Sequence, residues 1–321
     1  MTYEDAQKII YEFRDNESPT EDEEFIYTEA LQQMITGTGK PEYMSELAWY
    51  YCERKRFDLE LKYLEMAAEC GYGPAYEELG YMWYYGQHGE KDYAKAFEYY
   101  TKGSQPDRYG NEGSLWSQYK LADMYRFGCA VEKDEARYCA MIEDAWEKVK
   151  SRTRLNEPVP EIALRLAGIR SEQGQTEEAV KLLTYAKNFL AERMSYDAFW
   201  GHIEVMGRIV RFLYKLTEWN EEEADFYDLF YLTQKPGRYS MERFGETVEL
   251  EAAEDESGDE PAGGSTGTIE LAGHTEAARG LAIRYDGRWY RNFEDFCKKA
   301  EIEGRKFTTV YDEFYDIRKC I

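Results

Sequence analysis

Apolar and aromatic residues recur at helical spacing through most of the chain, in blocks separated by glycine or charge. In one block Leu79, Met82, Trp83 and Tyr85 share a face, Pro74 suits the helix start, and Gly86 with Gly89 provides left-handed stops. Asp92 then stands where an N-cap belongs, ahead of a second periodic run from Tyr93 to Tyr100. The pattern predicts helix, turn, helix. It returns 42 residues later, where Leu121 to Ala136 align without a gap on Leu79 to Ala94, sharing seven identities, with Trp83 over Tyr125 and Tyr85 over Phe127. A period of this length marks a two-helix repeat. Gly80 and Ala122 follow the repeat leucines, where bulk would push packed helices apart.

Fainter copies flank these two. Leu47 to Tyr51 leads through a tight turn near Arg56 into Leu59 to Gly71, and Leu166 to Ile169 leads through Gly174 into Thr176 to Leu183. The paired Leu and small residue therefore begin at 47, 79, 121 and 166, so similar hairpins are joined by loops of variable length. Upstream, Thr2 to Arg14 and Thr20 to Ile35 are acidic amphipathic stretches, the second opening on the capping-box pattern Thr20-Glu21-Asp22-Glu23. These N-terminal helices, within residues 1 to 36, are expected to cap the first repeat with a polar outer face.

The repeats occupy about 41 to 194, and further helices are expected from 195 to 245, as the pair Asp197 to Trp219 and Glu221 to Leu232. Residues 246 to 267, richest in Glu, Asp, Gly and Ser from 251 onward, read as an acidic flexible linker. Residues 268 to 321 read as a separate small module. Asp286-Gly287 between Leu281 to Tyr285 and Arg288 to Tyr290 signals a two-residue hairpin. One helix is expected from Asn292 to Gly304 and a second from about Thr308 through Val310, Phe314 and Ile317.

Leu79-Gly80, Trp83, Gly86, Gly89, Lys91-Asp92-Tyr93, Ala96 and Tyr99-Tyr100 resemble the Sel1-like repeat, a relative of the tetratricopeptide repeat. The resemblance is densest over residues 74 to 103 and 114 to 140, and closer to the plain tetratricopeptide type over 41 to 71 and 161 to 190. The chain departs from it at Gly103-Ser104, in the long loop from Gln105 to Gly113, and at Cys129 and Ala130. The resemblance implies an all-α helical-repeat solenoid, a right-handed superhelix whose inner surface binds other proteins, here carrying a small C-terminal α+β module of a β-hairpin plus two helices. It also implies that positions two and five after each repeat leucine face the inner groove: Trp49 and Cys52, Tyr81 and Tyr84, Asp123 and Arg126. Tyr, Trp and Arg are the residues that dominate binding hot spots. The same positions would equally serve packing against the next repeat. Trp83, Tyr125 and Tyr51 are expected in the core between paired helices.

Composition narrows the partner. The 321 residues carry 40 Lys and Arg against 64 Asp and Glu, a net charge of −24, with 16% aromatic residues and 29 tyrosines. That aromatic content can fill a core despite the charge. Acidity disfavours nucleic acid and anionic membranes as main partners. No apolar run approaches a membrane span, and the first residues have no export pattern, so a soluble cytoplasmic protein is expected. The six cysteines, without Cys-x-x-Cys or a neighbouring His, read as reduced thiols.

No set of residues carries a mechanism. His88, His202 and His274 lie in three unrelated contexts, without a nucleophile or carboxylate at motif spacing. Gly37-Thr38-Gly39-Lys40 lacks the full phosphate-loop pattern and meets Pro41, so it reads as a turn. The acidic clusters at 21 to 24 and 221 to 223 suit helix N-termini better than calcium. The chain therefore reads as a non-enzymatic scaffold or adaptor, with no cofactor or metal, that holds a protein or peptide on Trp49, Tyr81, Tyr84, Asp123 and Arg126. The rival reading is a regulator whose C-terminal module, with a helix-turn-helix look and nine basic against eight acidic residues over 281 to 321, contacts nucleic acid. Asp312, Glu313 and Asp316 on its second helix would repel phosphates.

Overall fold

The structure is a computed structural model that describes residues 1–16, 18–87, 89–150, 157–196, 200–220, 225–243, 246–253, 281–307 and 315–320. The chain divides into two compact units, Met1–Met141 and Ile142–Ile321, the boundary lying within a helix instead of near residue 245.

The first unit is a helical-repeat solenoid. Helices α1 (Tyr3–Arg14) and α2 (Glu21–Thr38), α3 (Pro41–Glu53) and α4 (Phe57–Glu69), and α5 (Gly73–Tyr85) and α6 (Tyr93–Gly103) pack as hairpins. Successive hairpins stack through α2 on α3, α4 on α5 and α6 on α7 (Leu115–Phe127), and α8 (Glu135–Val149) begins the last turn. Local chemistry sets the boundaries as the sequence predicts. Thr20 closes a capping box with Glu23, its N–H donating to Glu23 Oε2 at 2.8 Å. Asp92 and its repeat counterpart Asp134 each accept the backbone N–H three residues on, at 3.0 and 2.9 Å. Gly86 and Gly128 end α5 and α7 in the left-handed region, with φ of 68° and 71°.

Gly80 answers to packing. A Cβ there would stand 2.5 Å from Cδ1 of Tyr100, a ring buried to 1% exposure between α5 and α6. Trp83, Tyr125 and Tyr51 pack as expected: Lys95 lies over the Trp83 ring at 3.6 Å, Tyr125 meets Phe97 at 5.7 Å, and Tyr51 stacks on Tyr63 at 5.8 Å. The long loop after Gly103 is held by Asp107, whose carboxylate accepts from the N–H groups of Gly73, Tyr109 and Asn111. The α2 end differs from the polar cap expected of it. Phe25 is 67% and Ile26 43% exposed, beside an open recess of about 640 Å³ that also involves Met1 and Gln33. The core face of α2 already uses Tyr27, Ala30, Leu31 and Met34, so its apolar stripe is wider than one neighbouring hairpin covers.

The second unit holds the end of α8, then α9 (Val159–Glu172), α10 (Thr176–Tyr196) and α11 (Trp200–Leu216), followed by a 3-10 turn Phe226–Asp228 leading into α12 (Leu229–Leu232). A sheet follows where further helix and linker were expected. Strands β1 (Gly237–Arg243) and β2 (Glu246–Ala253) pair antiparallel, with Tyr239 opposite Leu250 and Met241 opposite Val248. Val248, Leu250 and Ala252 alternate with Thr247, Glu249 and Glu251, the period of a half-buried strand, and this outweighs the acidic composition that suggests a linker. Residues 254–267, the rest of that linker, lie outside the described residues.

The hairpin is present as β3 (Ala282–Tyr285) and β4 (Arg288–Tyr290), with Asp286 and Gly287 at φ of 46° and 74°. Asn292 caps α13 (Phe293–Lys299), accepting from Asp295 N–H at 2.8 Å. Short β5 (Glu301–Ile302) and β6 (Arg305–Lys306) follow. The expected second terminal helix is corrected at its C-terminal end, where residues Tyr315–Cys320 form β7 against β1. Its residues 308–314 lie outside the described residues. β1 exposes an edge opposite β2, and pairing it satisfies backbone groups that a helix would leave open. The helix-turn-helix premise of the nucleic-acid reading lapses with that strand. The sheet order is β4-β3-β2-β1-β7.

The terminal elements are therefore no separate tethered module. Ala253 and Ala282, on either side of the acidic stretch, are paired neighbours in the sheet. Within the same unit α13 docks on α11 and α12. Phe293 meets Phe230 edge-on at 4.9 Å, Glu294 pairs with Arg211, and Lys298 Nζ lies 2.5 Å from Glu204. A Cβ on Gly207 of α11 would lie 2.8 Å from Glu294 Oε1.

Two substitutions separate close packing from mere glycine content. Gly80→Val should cost about 2 kcal/mol in urea unfolding by overpacking against Tyr100. Gly37→Ala, in α2 with open space around it, should be neutral or stabilise by about 0.5 kcal/mol. Phe293→Ala should cost about 3 kcal/mol and raise hydrogen exchange in α11 together with α13, whereas a tethered module would leave α11 protected.

Candidate functional site

Helices α3, α5 and α7 open the three central hairpins, and their residues just before and two after the repeat leucine are Glu46 and Trp49, Glu78 and Tyr81, and Lys120 and Asp123. One helical turn separates the two positions, so each pair shares a face. Leu47, Leu79 and Leu121 point into the core and hold the phase.

The structure sorts the six groove positions by depth. Trp49 is 60% exposed and Tyr81 45%, large apolar area left to solvent on α3 and α5. Cys52 and Tyr84 are half-buried, and Tyr84 packs at 5.2 Å on Tyr93 and 4.9 Å on Tyr85. Burial raises the Tyr84 hydroxyl well above the ordinary tyrosine range, so it acts as a packing residue that stays neutral. Asp123 is buried at 5% exposure. Arg126 donates to the Tyr138 hydroxyl at 2.9 Å and lies over that ring. Trp49 and Tyr81 are thus open to solvent, while Tyr84, Asp123 and Arg126 are engaged within the fold.

Two contributors escape a reading by fixed groove positions. Lys120 donates to the Tyr85 hydroxyl at 2.5 Å and sits near the rings of Tyr84, Tyr85 and Tyr119, joining α7 to an aromatic cluster in which Tyr81 and Tyr85 are 4.5 Å apart. Its signal was the basic residue at the repeat position that Glu78 occupies in the copy before. The other is a set of carboxylates between α3, α4 and α5. Glu60 of α4 is buried at 3% exposure, accepts from the Cys52 thiol, and has an Oε2 without a hydrogen-bond partner. Burial raises its carboxyl, and burial with Glu60 nearby pushes the Cys52 thiol up to about 12. Glu78 is exposed yet crowded by surrounding chain, which, with Glu77 and Glu60 adding their charge, pushes its carboxyl up to about 7. No cation pairs with Glu78 among the described residues.

This arrangement offers aromatic surface and negative charge to a ligand. It brings no nucleophile to a base: Cys52 is held as a thiol, and His202 of α11 contacts Arg193 in the other unit. His88 and His274 lie outside the described residues. Among the described residues no group of three His, Cys, Asp or Glu is arranged to hold a metal ion, and no helix is long and apolar enough to cross a membrane.

No family model matches the sequence, and no curated protein matches it. Solved structures are similar to it over part of the chain. One is a Sel1 repeat protein from Oxalobacter formigenes, 24% identical, covering 42% of this chain and 93% of its own, with a TM-score of 0.34. Another is a protective antigen of uropathogenic Escherichia coli strains that displays an SLR fold, 18% identical, covering 64% of this chain and 47% of its own, with a TM-score of 0.43. The helical repeats are similar to those of Sel1 repeat proteins. The Sel1-like pattern sits where the residues place it, in hairpins with leucine inside, a small residue at the crossing and glycine at the turn.

The crowded Glu78 makes stability depend on pH. Its folded carboxyl is raised above an ordinary value of 4.5 to about 7, so the folded chain holds this proton more tightly than the unfolded one. Stability from this group is present below about pH 4.5 and declines as pH rises through 7. Glu78→Gln should therefore be more stable than the parent at pH 8 and equal to it at pH 4, as read by chemical denaturation, with the difference opening between those values.

Proposed function

We propose that this protein is a non-enzymatic interaction scaffold that holds a segment of a partner protein along the outward face of α3 and α5. The observation that carries the reading is the pair Trp49 and Tyr81, large rings left open on neighbouring repeat helices while tens of comparable residues are packed away. Aromatic anchors at the centre of a contact supply most of its energy. Tyr84, Asp123 and Arg126 belong to the same face as supports: Tyr84 and Arg126 set the positions of Tyr85 and Tyr138 beside it, and Asp123 lies beneath. The Sel1-like hairpins supply a rigid backing, because both helices of each pair are fixed by their own core and by the next hairpin. The acidic chain suits a partner of neutral or basic character. A cytoplasmic setting agrees with this role and with reduced cysteines.

Trp49→Ala combined with Tyr81→Ala should leave the melting temperature within about 2 °C of the parent, since both side chains are exposed. The same variant should lose at least about tenfold in affinity for the partner recovered by photo-crosslinking from position 49, measured by titration of the purified pair. Unchanged affinity would remove the α3 and α5 face from the function.

A further inference from the structure

The first hairpin leaves more apolar surface open than a polar cap would. Among the described residues ten large apolar side chains are exposed, and five of them, Met1, Tyr3, Tyr11, Phe25 and Ile26, fall within the first 26 positions. Phe25 and Ile26 border the open recess of about 640 Å³, which runs along α2 past Glu29, Gln32, Gln33 and Thr36 to Gly37. The second helices of the next two hairpins expose charge instead, Asp58, Lys62 and Glu65 on α4, and Lys95, Glu98 and Lys102 on α6. A polar outer face keeps a terminal repeat soluble, so an apolar one marks a contact.

The stripe along α2 is complementary to itself. Phe25, Glu29, Gln32 and Thr36 follow one another at intervals of four, three and four residues, the spacing of a helix-to-helix seam. From Phe25 to Gly37 the stripe is about 18 Å long, and its centre is level with Leu31. A two-fold axis there sets a second α2 antiparallel on the first, with Phe25 opposite Gly37, Ile26 opposite Thr36 and Glu29 opposite Gln33. A Cβ on Gly37 would meet nothing within 4 Å, so there is room over it for a ring. Gln33 donates one amide N–H to the Met1 carbonyl at 2.5 Å and keeps a second for a carboxylate. Charge favours the same arrangement. Glu29 is the one charged side chain lining the recess among the described residues, so two copies of an acidic chain meet there with little repulsion. A parallel pairing would bring Glu21, Asp22 and Glu23 of both copies to one level, whereas the antiparallel one carries them past Thr38 of the other helix, toward Lys40.

We infer that α2 is a homodimer contact, in which a second copy of this chain lays its own α2 antiparallel along the recess and each Phe25 ring fills the space over the opposite Gly37. The contact continues the hairpin-on-hairpin packing of α2 on α3, α4 on α5 and α6 on α7. A partner of other sequence would have to supply both a ring and a gap at the matching distance, and a second copy supplies both by symmetry. The inference is independent of the role given to Trp49 and Tyr81, which stand on α3 and α5.

The test is sedimentation equilibrium of the full chain across about 1 to 100 μM. The mean mass should rise with concentration from 37.8 kDa toward twice that value. Phe25→Glu and Gly37→Leu should each hold it at 37.8 kDa, the first by charging the ring position and the second by filling the space opposite. Phe25 is exposed and Gly37 has open space around it, so both variants should melt within about 2 °C of the parent. The Trp49→Ala/Tyr81→Ala variant should dimerise as the parent does. Ile26→Cys combined with Thr36→Cys should give a covalent dimer on mild oxidation, read on a non-reducing gel, and neither change alone should do so. A parent chain that stays at 37.8 kDa throughout would overturn the inference. So would a dimer that either Phe25→Glu or Gly37→Leu leaves intact, since its contact would lie elsewhere. A dimer whose double cysteine variant fails to cross-link would overturn it too, because the helices would then meet in another register.

Discussion

The close approach of paired helices, made possible where Gly80 meets the ring of Tyr100, is the constraint on which the first unit turns. A helix that must bury Leu79 and press Gly80 against a neighbour has its rotation set within a fraction of a turn. Two positions after the repeat leucine, α3 and α5 carry their side chains outward, whereas Asp123 at the same place in α7 is buried. Tyr81 is exposed because its two predecessors are buried, and Trp49 is exposed because Leu47 and Ala48 are. The exposed rings of Trp49 and Tyr81 are thus a by-product of the core. The turn glycines and the Asp92 and Asp134 caps do the corresponding work along the helix axis, fixing where each helix stops and the next begins.

Charge shapes the molecule on two scales. The net −24 keeps the surface acidic, a field that salt weakens. Buried charges follow different rules, because each needs a partner inside. Lys187 of α10 shows this in the second unit: it is largely buried and bonded to both Asp225 and Asp228 at 2.8 Å, pinning the turn that opens α12. Glu60 and Glu78 of the first unit have raised carboxyls, through burial and, at Glu78, through the neighbouring charges of Glu77 and Glu60.

The second unit builds its stability differently. A ring cluster of Phe226, Phe230, Phe293, Phe296 and Phe307 joins the end of the helical array to the sheet region, with Tyr285 and Tyr290 packed around Phe296. Arg211 with Glu294 and Lys298 with Glu204 flank the cluster. With β2 and β3 adjacent, the acidic segment joins two strands of one sheet and does not tether a free domain. The C-terminal elements share a core with α11 and α12.

Local chemistry alone determined a large part of this protein. Helix starts at Thr20 and Asp92, stops at Gly86 and Gly128, the Asp286-Gly287 hairpin and the Asn292 cap each depend on residues within a few positions of one another, so one sequence displays them. The repeat was legible for the same reason, and with it the burial of Leu47, Leu79 and Leu121. Composition misled over β1 and β2, where the alternation of Val248, Leu250 and Ala252 was visible but its acidic intervals resembled a linker. Only tertiary structure could decide whether β1 gained β7 as a neighbour, whether Phe293 met Phe230, and whether the Glu60 carboxyl was buried. Those outcomes depend on contacts between residues tens of positions apart, whose energy comes from area buried and charges brought together, and neither exists until the chain has folded.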